Sequence, residues 1–175
     1  MSATPSGVNW LDFPSPGPAL IGATRRYPAG APSEVWFAWT ASAGGGFPHP
    51  HIQIARFNDT TFTLLDQFQV WNPSHAYAYP SLASNMREEV GMALAFGGGG
   101  MFEASSAVGI WSDFVVWTPG FSTSSRDRFG DYVTVSQYSP RGDVFAASVY
   151  NRLNLGTGDQ HNPIYIRFGR RSVNP

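Results

Sequence analysis

The chain has 175 residues, enough to bury a core of its own, and carries a net charge of -1 with only 13% charged side chains. That balance excludes disorder, which needs low hydrophobicity and high net charge, and leaves no basic patch to neutralise nucleic-acid phosphates. The absence of cysteine excludes disulfides and thiolate chemistry.

Aromatic residues make up 15% of the chain, with 19 glycines and 14 prolines. Many aromatics and frequent turn formers suit short, tightly connected strands. Helix-period amphipathicity is absent, so the fold class expected is all-β. No apolar run approaches the roughly 20 residues of a membrane-spanning helix. Residues 1–20 show no basic start followed by an apolar stretch, so no secretory signal is visible. Ser2 to Gly7 reads as linker entering mid-protein.

In chain order, a weak strand is expected at Ala19–Thr24, then a stronger one at Glu34–Thr40, opening on an acid and valine. A third follows at His51–Phe57 and a fourth at Phe62–Trp71. The series then returns: Tyr79–Ser84, Glu89–Phe96, Ser105–Trp111 and Phe114–Thr118. It returns again at Asp131–Ser136, Asp143–Tyr150 and Asn162–Phe168. The acid-valine runs start at Glu34, Glu89 and Asp143, 55 and 54 residues apart. Four short strands in about 50 residues are the signature of a propeller blade. The expectation is about three four-stranded antiparallel repeats of ~54 residues, at 18–71, 77–118 and 130–169. The third repeat lacks a strand, which Val8–Phe13 would supply. Known propellers need at least four blades, so three imply further blades in the same chain or a homo-oligomeric ring.

Loops rich in Gly and Pro separate the second and third strands. Gly97–Gly100 lacks the Lys-Ser or Lys-Thr of a phosphate-binding loop, so it reads as a hairpin connection, as does Gly44–Gly46. His49 and His51, on either side of Pro50, are weak metal-ligand candidates if a strand projects both to one side. The bland reading is a loop entering a strand, and neither a metal nor a cofactor is expected. The doublets Arg25-Arg26 and Arg170-Arg171 read as solvated or paired with carboxylates.

The run Arg128-Phe-Gly-Asp-Tyr-Val-Thr-Val, with Gly142-Asp-Val-Phe after it, resembles an Arg-Trp-Gly-Asp-Tyr element. That element occurs in bacterial propeller proteins of the sialidase-like fold group. Ala78-Tyr-Pro-Ser-Leu-Ala-Ser-Asn before Glu89-Val-Gly is similar to another element of the group, as are Phe47-Pro-His-Pro-His and Ile166-Arg-Phe-Gly-Arg. Phe129 stands where the motif has Trp. The resemblance implies a propeller fold and an extracellular or cell-surface location, leaving a cytoplasmic one open. It does not extend to sialidase chemistry: Asp-box turns are missing, and no spacing marks the arginine triad or the Tyr-Glu nucleophile pair.

If there is a site, Arg128, Asp131 and Tyr132 carry it, with Tyr79 at the start of the preceding unit's inner strand. Arginine clamps carboxylates and aspartate accepts sugar hydroxyls. The bland reading is an Arg-Asp structural pair with Tyr capping the blade. The function expected is non-catalytic recognition of a glycan or protein partner. The alternatives are a sialidase-like glycoside hydrolase with part of its site outside this chain, and a structural module of a larger assembly.

Overall fold

The computed structural model describes residues 3–5, 7, 9–11, 20–111, 129–130, 132–154 and 159–170. Among these there is no helix; ten strands form three antiparallel sheets. The first sheet orders β1 (Leu20–Arg26), β2 (Glu34–Ala41), β3 (His51–Asn58) and β4 (Leu64–Val70). The second orders β5 (Ala76–Ser84), β6 (Val90–Gly98) and β7 (Phe102–Ile110). The third orders β8 (Thr134–Gln137), β9 (Phe145–Asn154) and β10 (Asp159–Phe168).

The strand boundaries differ from expectation for local reasons. β4 begins at Leu64 because Phe62 sits in a turn at φ 54, where its N–H donates to the Asn58 carbonyl (2.9 Å). Asp143 and Val144 precede β9 rather than open it. The expected strand Phe114–Thr118 lies outside the described residues, as do Val8, Asp12 and Phe13 of the expected strand Val8–Phe13.

The second sheet is the middle layer, and the alternation in β6 makes it so. Successive strand residues point to opposite faces. In β6 the even positions are Val90, Met92, Leu94 and Phe96, and they pack with Trp36, Ile52 and Ile54 of the first sheet. Ala93 points the other way, into a core with Val133, Val135, Phe145 and Val149 of the third sheet. Gly91 shares that face, and a Cβ there would sit 2.7 Å from the Phe145 ring. With a neighbour on each face, β6 is buried from end to end. By contrast β4, an edge strand, is mostly exposed.

The first strands of the three sheets lie side by side, β5 between β1 and β8. Small residues allow this approach. A Cβ on Gly22 in β1 would come within 2.8 Å of the Pro80 carbonyl oxygen in β5. On the other side of β5, the Val135 N–H donates to Ser81 Oγ (3.1 Å).

The glycine runs do close hairpins. Gly97, Gly98, Gly99 and Gly100 all have positive φ, and a Cβ on Gly99 would collide with the Ser74 carbonyl. Gly44 and Phe47 exchange two backbone hydrogen bonds of 3.0 Å around Gly45-Gly46.

Candidate functional site

The strand directions give the stack two unlike ends. One end holds the starts of β2 and β6, the segment leading into β9, and the finish of β1 and β5. Acids gather there, and arginines meet them. Glu34 Oε2 accepts from Arg26 Nε (2.7 Å) and from Trp36 Nε1 (2.8 Å), with Arg56 Nη1 3.9 Å from the second oxygen. Both guanidiniums lie over the Trp36 ring, at 5.0 and 5.7 Å from its centroid. Burial alone would raise the Glu34 pKa, but the Arg26 and Trp36 hydrogen bonds and the two positive charges outweigh it and hold it below its ordinary value. Glu89 receives Arg170 Nε (2.5 Å) and Asn85 Nδ2 (2.9 Å), and Asn85 Nδ2 also reaches the Asp143 carbonyl (3.1 Å). Asp143 pairs with Arg141 (3.1 Å), whose hydrogen bond holds the carboxyl below its usual range. Arg25 is bound to Asp59 and the Tyr27 N–H to Glu88. Glu34, Glu89 and Asp143, with Arg25, Arg26 and Arg170 of the doublets, are therefore tied up in contacts within and between sheets, while Arg171 lies outside the described residues.

The opposite end is aromatic. Trp10, Phe129 and Tyr150 are buried together with Ala76, Ala78, Ala95 and Ala104, and Tyr79 packs against them. The rings meet edge-on or tilted: Trp10 to Phe129 at 6.3 Å, Trp10 to Tyr79 at 6.5 Å, Phe129 to Tyr150 at 4.6 Å. The Tyr150 hydroxyl accepts from the Gly130 N–H (2.8 Å), which fixes the ring. Its face stacks on His161, 5.3 Å away and 16° from parallel. Tyr132 lies 6.4 Å from Tyr150 and is 71% exposed.

Tyr79 occupies an uncommon backbone position. It sits in the β5 bulge between Ala78 and Ser81 at φ 55, a left-handed conformation rare for a bulky residue. Its N–H donates to Thr40 Oγ1 of the first sheet (3.0 Å). Gly130, at φ 111, lies so close that a Cβ there would overlap the Tyr79 ring. Two buried polar atoms of this region, Trp10 Nε1 and Asn151 Oδ1, have no hydrogen-bond partner among the described residues.

Of the residues expected to form a site, Tyr79 and Tyr132 thus both border the Phe129–Tyr150 cluster. Arg128 and Asp131 lie outside the described residues. Sequence reasoning missed Trp10, Tyr150 and His161. Tyr150 carries no signal in the sequence beyond ending an apolar run, and nothing there singles out His161.

The histidine pair behaves as a loop entering a strand. β3 begins at His51, so His49 is in the preceding loop and strand alternation does not apply to the two. His51 is buried, its ring stacked on Phe47 at 4.0 Å. Gln53 Nε2 donates to His51 Nε2 (3.1 Å), which leaves the ring proton on Nδ1, 3.4 Å from the His49 carbonyl. Burial lowers the His51 pKa against the opposing pull of that carbonyl. His75, between Tyr77 and Phe96, is lowered by burial and then by the charge of His49. Among the described residues no three His, Cys, Asp or Glu side chains are grouped to hold a metal.

No family model, curated protein or solved structure matches the chain.

Proposed function

We propose that this chain is a run of three β-propeller blades whose aromatic end recognises a glycan without catalysing its hydrolysis. The blade reading is supported by the face-to-face stacking of three sequential antiparallel sheets and by their adjacent first strands. It is supported too by strand orientation: Val35, Val90 and Phe145, each 55 residues from the last, point the same way in the stack.

The observation that carries the ligand reading is the row Tyr132–Tyr150–His161. Two exposed rings flank a buried one held by the Gly130 N–H. Exposed rings braced against a rigid base offer flat apolar faces to the C–H side of a sugar, and the Tyr132 hydroxyl adds a polar handle. Arg128 and Asp131 adjoin the Phe129–Tyr132 stretch in sequence and would supply polar contacts. Hydrolysis of the sialidase kind finds no support. Arg26, Arg56, Arg87, Arg141 and Arg170 are engaged by carboxylates at the charged end, away from the rings.

A glycan array probed with the labelled chain tests this reading. Binding that disappears in Tyr132→Ala and weakens in Asp131→Asn is expected, with thermal melting unchanged. An array without hits, or equal binding by the Tyr132 variant, would overturn it. Turnover of a fluorogenic sialoside by the wild-type chain would overturn the non-catalytic part.

A further inference from the structure

The two outermost sheet faces of the stack are not alike. The first sheet turns Val35, Phe37 and Trp39 of β2 outward, joined by their β3 partners Phe57, Ala55 and Gln53. Phe37 and Phe57 pack edge-on at 6.0 Å, yet Val35, Phe37, Trp39 and Phe57 belong to none of the three buried cores and are only partly buried. The outer face of the third sheet is small and hydroxylated on its first two strands: Thr134 and Ser136 of β8, Ser148 and Ala146 of β9. This is the texture that the second sheet presents to the third, with Ser81 and Ala83 on β5 and Gly91 and Ala93 on β6.

Between the second and third sheets, a bulky face therefore already packs on a small one. Phe145 fills the space that Gly91 leaves open, and Ser81 Oγ takes the Val135 N–H. The first sheet's outer face corresponds in orientation to the face that carries Phe145, and the third sheet's outer face to the one that carries Gly91. We propose that the outer face of the first sheet docks on the outer face of the third sheet of a second copy, head to tail, continuing the internal stacking. Two such contacts close a dimer in which each copy contributes both faces. Phe37, Trp39 and Phe57 form the apolar centre of each contact, as large rings do in interfaces. The proposal rests on the order of the sheets and is independent of any glycan.

Sedimentation of the 175-residue chain over a wide concentration range tests it. Reversible dimerisation is expected, weakened roughly tenfold or more by Phe37→Lys and equally by Ser148→Arg, because both faces meet in one contact. Both positions lie outside the buried cores, and unchanged circular dichroism and melting would show that each variant folds. A monomer at every concentration would overturn the proposal. So would a dimer broken by Phe37→Lys but indifferent to Ser148→Arg, which would mean like faces pairing with like.

Discussion

At one end of the sheet stack the charges are paired off against one another, while at the other rings gather around a buried tyrosine. The charged end uses its polar chemistry internally: Glu34, Glu89 and Asp143 each meet an arginine. The aromatic end leaves chemistry on display, with Tyr132 71% exposed and Tyr79 held in a strained bulge. The lesson is that the acids and arginines of the charged end mark architecture, and that recognition is to be sought at the aromatic end. An arginine-acid pair read from sequence has no sign that separates a clamp for a ligand from a clamp for a neighbouring strand. The distinction needs the partner's position.

The comparison can be broken at several points. Gly130→Val should have the largest effect. It forces a β-branched residue into φ 111 and drives its side chain into Tyr79, costing about 3 kcal/mol in urea denaturation. A variant as stable as wild type would mean that the aromatic end is loosely packed and no platform at all.

At the charged end, Glu34→Gln should cost about 2 kcal/mol, since it leaves Arg26 and Arg56 beside an uncharged group. The sign with pH follows from the lowered Glu34 pKa. Its contribution is complete above the ordinary value of 4.5 and is lost as pH falls through the folded-state value. Denaturation midpoints measured downward from pH 6 should therefore fall less steeply in the glutamine variant. Parallel curves would remove the buried ion pair from the account.

Histidine at the aromatic end gives a smaller effect in a different window. His75 is kept neutral by burial, so the unfolded chain binds its proton more readily. Stability should decline as pH drops below 6.5 and level off once the folded form also protonates. His75→Phe should flatten that decline between neutrality and pH 5, and an unchanged slope would place its cause elsewhere. The smallest effect belongs to Tyr132→Ala, expected to stay within about 0.5 kcal/mol because the side chain is exposed. A larger loss would make Tyr132 a structural member of the cluster.

Much of the secondary structure was legible. The runs Glu34–Thr40, Glu89–Phe96 and Asp143–Tyr150 fall on β2, β6 and β9, and the glycine runs fall in hairpins. The signal was strong because alternation and turn chemistry are local. The candidate site was legible only in part. Tyr79 and Tyr132 were singled out, whereas Trp10 meets Tyr79 and Tyr150 meets Tyr132 from other stretches of chain, and His161 stacks on Tyr150. The histidine pair carried little signal for a site, because a two-residue spacing is informative only when both residues belong to one strand.

By itself the sequence determined that the chain would form short strands, where its glycines would turn, and that β6 would carry one bulky and one small face. These follow from side-chain volume, period and the φ values open to glycine, all properties of neighbours in the chain. Only the tertiary structure decided which sheet each face of β6 would meet, and that Phe145 would lie over Gly91. It alone bound the acids to arginines as far away as Arg170 is from Glu89, and set Gly130 against Tyr79. Such contacts depend on the stacking of whole sheets, where burial and shape select among faces that look equally suitable along a single strand.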